Sequence, residues 1–116
     1  SKNAAGRTKM LSPIDERIAA IFKRQLQKLV HPLDVRVFGS RARGDAAPDS
    51  DLDIYIELEE VTPQLRDQIS EAAWLVGFDH DCVISTFVVI REQLEHGALG
   101  ASPLVASIMQ EGFAVE

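Results

Sequence analysis

A chain of 116 residues is the size of one domain, with room for a single core and no second catalytic lobe. Leu, Ile, Val and Phe account for 35 of these residues, about 30%, well above the roughly 20% below which disorder is expected. Twelve basic against eighteen acidic side chains give a net charge of −6, so bulk binding to the phosphate backbone of DNA or RNA is not expected.

The sequence has no pattern typical of a membrane span, a signal segment, a disulfide or a zinc site. No apolar run approaches the roughly 20 residues of a membrane span, and no charged-then-apolar signal segment opens the sequence. The one cysteine, Cys82, cannot form an internal disulfide, and no Cys and His residues have zinc-ligand spacing. We therefore expect a protein of the reducing cytoplasm that does not bind membranes.

The first predicted element is a helix. Residues 1–11 have no apolar period and are predicted to form a flexible tail, so the folded domain is expected over residues 12–116. Ser12 is a suitable N-cap and Pro13 a suitable first helical residue. Apolar residues then recur on one helical face until His31-Pro32, where the helix is expected to end. They are Ile14, Ile18, Phe22, Leu26 and Leu29.

Two strands with a loop between them are predicted next. The segment from Val35 to Phe38 is β-prone and ends at Gly39-Ser40. Residues 41–50 are rich in Gly, Asp, Pro and Arg, which favours a loop. From Asp51 to Leu58 polar and apolar residues alternate, which predicts a strand with one buried face.

Three further elements complete the predicted order of helix, strand, strand, helix, strand, helix. A helix is expected from Pro63 to Val76, ended by Gly77. Trp74 flanks its apolar stripe; packing in the core is favoured there over an exposed side chain that anchors a partner. A strand is expected within Cys82 to Ile90, and a short helix over Pro103 to Gln110.

The pair Asp51 and Asp53 is the first candidate for chemistry. Residues two apart on a strand project from the same face, so their carboxylates are expected to lie a few ångströms apart and to raise at least one pKa in the absence of a cation. Mg²⁺ takes one or two carboxylates and completes its shell with phosphate oxygens and water. Alone, however, such a pair at the start of a strand is more often a solvated surface.

The turn Gly39-Ser40 is the second candidate. A glycine lets the backbone approach a phosphate closely, and a hydroxyl with exposed N–H groups can hold that phosphate. Arg41 and Arg43 follow in an otherwise acidic chain and could bind phosphate oxygens. A nucleoside triphosphate with its metal would satisfy both candidates.

Other ligand-binding motifs are not supported. Asp49, Asp51 and Asp53 have the spacing of a calcium loop, but Ile54 stands where that loop needs glycine, and the closing glutamate is missing. Neither the Gly-x-Gly-x-x-Gly motif of dinucleotide-binding proteins nor a Gly-Lys-Ser/Thr motif occurs.

The candidates combined resemble the nucleotidyltransferase superfamily typified by DNA polymerase beta, and most closely its minimal nucleotidyltransferases. The family pattern is Gly-Ser, ten residues, then Asp-x-Asp, as in Gly39-Ser40 and Asp51-Leu52-Asp53. Asp81, ahead of Cys82-Val83-Ile84, matches a third acid of that family, with Asp79 as its competitor. A C-terminal family element is matched by Ser102-Pro103-Leu104, Ile108 and Glu111-Gly112.

The resemblance covers about residues 12–116, a minimal nucleotidyltransferase domain, and implies a fold. We expect the polymerase beta-like α/β fold of the α+β kind, a small mixed β-sheet with helices packed on one face. Asp51 and Asp53 are expected to face an open cleft whose opposite wall is the Gly39-Ser40 turn.

The resemblance also implies an activity, the transfer of AMP from ATP to a hydroxyl acceptor with release of pyrophosphate. In this hypothesis Asp51 and Asp53 hold two Mg²⁺ ions and Asp81 completes the inner one. The phosphates contact Gly39, Ser40, Arg41 and Arg43. The implied partner is a HEPN-family helical toxin, adenylylated on a tyrosine, which makes the chain an antitoxin; assembly into a homo- or hetero-oligomer is compatible with this.

Two other hypotheses stay open. The same fold with an idle site could be a binding module that neutralises its partner by occlusion. A small-molecule nucleotidyltransferase, such as an aminoglycoside-modifying enzyme, is less favoured because that type carries an additional substrate-binding domain.

Overall fold

The computed structural model describes residues 11–47 and 49–116. Within these ranges the helices are α1 (Pro13–Gln27), α2 (Ser40–Arg43), α3 (Pro63–Asp79), α4 (Arg91–His96) and α5 (Pro103–Glu111). The strands are β1 (Asp34–Phe38), β2 (Leu52–Leu58), β3 (Ile84–Ile90) and β4 (Phe113–Ala114), and a 3-10 turn covers Ala98–Ala101. The predicted α/β fold with a mixed sheet is confirmed.

The long helices begin with the same local device. Ser12, Thr62 and Ser102 each accept a hydrogen bond from a backbone N–H three residues on, and a proline follows each of them. A capping hydroxyl satisfies one of the N–H groups that a helix start leaves free, and proline has no N–H to lose there. These three helix starts were therefore readable from local sequence alone.

The sheet has the strand order β3-β2-β1-β4. β1 is antiparallel to β2 and to β4, whereas β2 and β3 are parallel and are connected through α3. α1 and α3 pack on one face, where Phe22 and Leu26 lie in the main core with Ile54, Ile56 and Ile69. For α1 and α3, the structure agrees with the prediction that helices pack on one face of the sheet.

The opposite face of the sheet is also covered, by shorter C-terminal segments. Tyr55 and Val89 form a second apolar cluster there with Ile108 of α5, and Leu94 and Leu99 pack against it. The prediction that β2 has one buried face is therefore wrong, since six of its seven residues are buried. Alternation failed as a guide because β2 is a central strand with both faces in contact with protein.

Several element boundaries differ from prediction. Residues 41–50 were expected to form a loop, but Ser40–Arg43 is helical, and α1 ends at Gln27, before His31-Pro32. α3 continues past Gly77 to Asp79. The segment after α3 lies so close to Gly77 that a Cβ on this residue would be 2.5 Å from the Cys82 carbonyl oxygen. Gly77 thus serves close approach and does not end the helix.

The N-terminal tail prediction falls mostly outside the described residues, since those begin at Leu11. Leu11 itself is 6% exposed and belongs to the main core. No helix in the described ranges has the length and apolarity to cross a membrane.

Candidate active site

The Gly39-Ser40 turn connects the end of β1 to α2. Gly39 has φ 80°, a left-handed conformation that glycine adopts without strain, and Gly44 ends α2 with φ 82°. A Cβ on Gly39 would overlap Oδ2 of Asp53 and lie 3.1 Å from its Cγ. The backbone of the turn therefore lies directly against the Asp53 carboxylate, a contact that only glycine permits.

Strand pairing produces this contact. Asp53 of β2 is the antiparallel partner of Phe38, the residue before Gly39. Asp53 is partly buried, whereas Asp51 is exposed and lies immediately before β2. The prediction placed both carboxylates on the strand, but only Asp53 belongs to it.

The electrostatics of the pair match the prediction of mutual repulsion. The pKa of the Asp53 carboxyl is raised above its ordinary value. The larger cause is burial, and the smaller is the negative charge of Asp51. The charges of Arg43 and Arg41 oppose this increase. Asp53 is thus a carboxylate whose charge is incompletely compensated by the protein.

A cleft of about 330 Å³ lies between this turn and α5. One side is formed by the sheet, the turn and α2, with Phe38, Gly39, Ser40, Ala42, Arg43 and Asp53. The other side is formed by Leu104, Ser107, Ile108 and Glu111 of α5. Ser40, Arg43 and Asp53 therefore face one space, whereas Asp51, which was also expected to face it, is not among the residues that line it. Ser107 and Glu111 were assigned no role from sequence, although Glu111 belongs to the C-terminal element that carried part of the resemblance.

Arg43 and Arg41 occupy different environments. The side chain of Arg43 is 48% exposed and lines the cleft, and its one ion pair among the described residues is a long contact of 3.4 Å with Asp45. Arg41 donates from Nη1 to Asp15 Oδ1 at 2.7 Å and from Nε to the Ser50 carbonyl oxygen at 2.8 Å. Phosphate binding by Arg41 is therefore not supported, because both of these donors already have protein acceptors.

The role of Arg41 is to connect three parts of the chain. Asp15 is in the first turn of α1 and is 6% exposed, and Ser50 immediately precedes Asp51. Arg41 consequently fixes the start of the Asp51-Asp53 segment against α1 and α2. Sequence reasoning missed Asp15, because an acid in a first helical turn is explained equally well by the helix dipole.

Asp81 is not grouped with the other two acids. It lies in the turn between α3 and β3 with φ 55°, and it lines a separate cleft on the α3 side, together with Asp49 and Ser50. The β3 residue paired with Asp53 is Ser85, so a serine occupies the neighbouring position on that face. Within residues 11–47 and 49–116, no three His, Cys, Asp or Glu side chains come together as a metal site.

The burial or exposure of three further side chains bears on whether they take part in the site. Tyr55 is fully buried, and its ring packs edge-on against Phe87 with centroids 6.1 Å apart. Burial raises the pKa of the Cys82 thiol, which fits an unreactive side chain. The expectation that Trp74 packs in the core is wrong, because Trp74 is 63% exposed.

Comparison with known proteins agrees with this geometry. The family model described as nucleotidyltransferase domain matches residues 16–111, which includes both the turn and the acid pair. The chain belongs to the nucleotidyltransferase family.

A relative of this nucleotidyltransferase is protein adenylyltransferase MntA of Thermococcus cleftensis, 37% identical over 51 residues. That segment is 44% of this chain and 52% of the relative, so the match spans about half the length of MntA. The predicted resemblance to minimal nucleotidyltransferases is confirmed at the level of the family.

Proposed function

We propose that this nucleotidyltransferase moves AMP from ATP to a hydroxyl group of a partner protein, a tyrosine of a HEPN-type helical toxin, and acts as a cytoplasmic antitoxin. The observation that carries the proposal is the contact of the Gly39 backbone with the Asp53 carboxylate at one cleft. Family membership supports the reaction type. The name of the relative, a protein adenylyltransferase, supports the transferred group and a protein acceptor.

The phosphates of the nucleotide would bind at the Gly39-Ser40 turn. Backbone N–H groups at the start of α2 have no partner within the helix, and the Ser40 hydroxyl lies beside them. Arg43 supplies a partly exposed guanidinium at the same cleft. Arg41 contributes indirectly by holding the Ser50 carbonyl ahead of Asp51.

Mg²⁺ fits the pair Asp51 and Asp53. Burial, and after it the charge of Asp51, raise the pKa of the Asp53 carboxyl. A divalent cation would relieve the repulsion between the two acids, and two carboxylates with phosphate oxygens and water are a usual ligand set. When bound, the ion would offset phosphate charge as it develops. That Asp51 and Asp53 hold two such ions, with Asp81 completing the inner one, stays a prediction; Asp81 lines a different cleft from Asp53.

In the proposed reaction the acceptor oxygen bonds to the α-phosphorus, the bond between that phosphorus and pyrophosphate breaks, pyrophosphate leaves, and the proton of the acceptor hydroxyl passes to water. The residues of the cleft orient the triphosphate. The partner would present its hydroxyl at this cleft.

The test is label transfer to a HEPN-type partner. With α-labelled ATP and Mg²⁺ the partner should become labelled, and with γ-labelled ATP it should not. Replacing both acids, Asp51→Asn with Asp53→Asn, should reduce labelling by orders of magnitude, because Asn keeps a ligand oxygen and loses the charge. Asp67→Asn on the exposed surface of α3 is the matched control and should label normally.

The occluding module is the second candidate, and Ser85 beside Asp53 is the observation that favours it. If the double Asn variant protects cells from the partner as well as the unchanged chain does, then occlusion explains the protection and the transferase proposal is withdrawn.

A further inference from the structure

Exposed apolar side chains concentrate at the C-terminal end of α3. Trp74 is 63% exposed and Phe78 71%, and their rings stack with centroids 5.2 Å apart at 9°. Val83, in the segment that follows α3, is 62% exposed. A different face of α3 packs into the main core, through Ile69 and Ala73. The stack is thus an apolar surface without a role in the packing of the described chain.

The two rings form one wall of a cleft of about 500 Å³. Asp49 and Asp81 line the same cleft and are exposed, and Arg41 is the basic residue among its described lining. The Arg41 guanidinium is bonded to Asp15 and to the Ser50 carbonyl. The net charge that this cleft offers to a ligand is therefore negative.

We propose that this cleft is a docking surface for a segment of a partner protein that carries basic side chains beside apolar ones. Apolar groups of the segment would cover Trp74, Phe78 and Val83. Its Lys or Arg side chains would pair with Asp49 and Asp81 and stack on the exposed aromatic faces.

Charge complementarity selects this occupant over others. A second copy of the chain, bound through the same face, would bring Asp49 and Asp81 against their equivalents and would be repelled. Anionic lipid and nucleic-acid phosphate are disfavoured for the same reason, in a chain of net charge −6.

The cleft also adjoins the candidate active site. Asp49 and Ser50 line it and lead directly into Asp51 and Asp53. A segment docked on Trp74 and Phe78 would hold its protein beside those carboxylates. That the docked protein is the acceptor rests on the proposed function; the docking itself requires no transfer.

The experiment uses Trp74, the only tryptophan in the chain, as the probe of binding. The chain is titrated with a short amphipathic peptide of Leu and Lys, without ATP or Mg²⁺. We expect a saturable blue shift of the emission, reduced quenching by acrylamide, and weaker binding at higher salt. A peptide of the same pattern with Glu in place of Lys should give no such response.

Variants separate the two components of the surface. Phe78→Ala should abolish binding of the Leu and Lys peptide. Asp49→Asn with Asp81→Asn should weaken it about tenfold, and Asn tolerates the left-handed backbone at position 81. The matched controls are Asp67→Asn on α3 and Met109→Ala, a residue of α5 that is 37% exposed; both should bind normally.

Two results would overturn the proposal. One is equal binding of the Leu and Glu peptide, which would make the surface merely apolar. The other is concentration-dependent dimerisation in sedimentation that Phe78→Ala removes, which would identify a second copy as the occupant. The double variant Asp51→Asn with Asp53→Asn should still bind the peptide, so a failure of nucleotidyl transfer is distinguishable from a failure of docking.

Discussion

Arg41 and Arg43 stand two residues apart in α2, and their surroundings give them different physical roles. The ion pair of Arg41 with Asp15 has side chains that are 15% and 9% exposed, whereas those of Arg43 and Asp45 are 48% and 64% exposed. Attraction between charges is strong where water is excluded and small where water screens it. The first arginine therefore supports the fold, and the second is available to a ligand.

We expect Arg41→Ala to lower the free energy of unfolding by about 3 kcal/mol, because it leaves the Asp15 carboxylate buried without a partner. Arg43→Ala should lower it by less than about 1 kcal/mol. Urea unfolding followed by circular dichroism measures both. ATP affinity should fall in the Arg43→Ala variant, which keeps its fold. Equal losses of stability in the two variants would contradict this assignment of roles.

Tyr55 offers a second test at the residue scale. Its hydroxyl is buried and has no hydrogen-bond partner among the described residues. A buried donor without an acceptor costs free energy, so Tyr55→Phe should leave the stability unchanged or raise it by up to about 1 kcal/mol. Chemical denaturation at pH 7 checks this, and a loss of more than about 1 kcal/mol would imply a hydrogen bond in solution.

The same residue predicts a pH dependence. Burial raises the pKa of Tyr55 to about 12, whereas an unfolded tyrosine titrates near 10. Between pH 10 and pH 12 the unfolded chain gives up the phenol proton and the folded chain keeps it, so stability falls as pH rises through this window. Tyr55 is the only tyrosine, so phenolate absorbance reports it directly. Phenolate formation near pH 10 in the folded chain would refute the burial.

At the scale of elements, the parallel register of β2 and β3 determines what surrounds Asp53. Ser85 is its partner, and the next residue, Thr86, pairs with Ile54 on the opposite face toward α1 and α3. Neighbouring residues of one strand face opposite sides of the sheet. A carboxylate introduced at position 85 would thus lie beside Asp53, whereas one introduced at position 86 would lie toward the main core.

We expect Ser85→Asp to supply a third carboxylate beside Asp53 and to tighten Mg²⁺ binding by roughly tenfold, since affinity for a hard cation rises with the number of charged oxygen ligands. Isothermal titration with Mg²⁺ is the measurement. Thr86→Asp is the control, and it should destabilise the fold without improving Mg²⁺ binding. Unchanged affinity in Ser85→Asp would mean that the cation does not bind next to Asp53.

At the scale of the whole molecule, ligand binding should be visible as stability. A ligand that binds only the folded chain at 100 times its Kd adds about 2.7 kcal/mol, which corresponds to a rise in Tm of several degrees for a domain of this size. We expect this rise with Mg²⁺ and ATP together, a smaller rise with Mg²⁺ alone, and neither after Asp51→Asn with Asp53→Asn. Absence of a shift with both ligands at millimolar concentration would favour the occluding module.

Local features of this fold were predictable from the sequence, and long-range ones were not. The cap and proline pairs Ser12-Pro13, Thr62-Pro63 and Ser102-Pro103 act within one helical turn, so the starts of these three helices were predicted correctly. The spacing of Gly39-Ser40 and Asp51-x-Asp53 identified the family. The site assignments themselves stay predictions until the variants are measured.

The failures share one cause, namely contacts between distant segments. Arg41 finds Asp15 across 26 positions of sequence, and the second face of β2 is covered by α5. The exposure of Trp74 follows from which side of α3 meets the sheet. Periodicity describes one element at a time and cannot show which of its faces meets another element.

The strand order β3-β2-β1-β4 has a further consequence, because it puts β3 at one edge of the sheet. Its seven residues, ISTFVVI, include no charged residue and no proline, the two features with which proteins commonly protect such an edge. At pH 7 the net charge of −6 keeps copies apart, but near the isoelectric point of about 5.0 that repulsion vanishes. Mild acid should therefore promote edge-to-edge β-aggregation of a chain that stays dispersed at neutral pH.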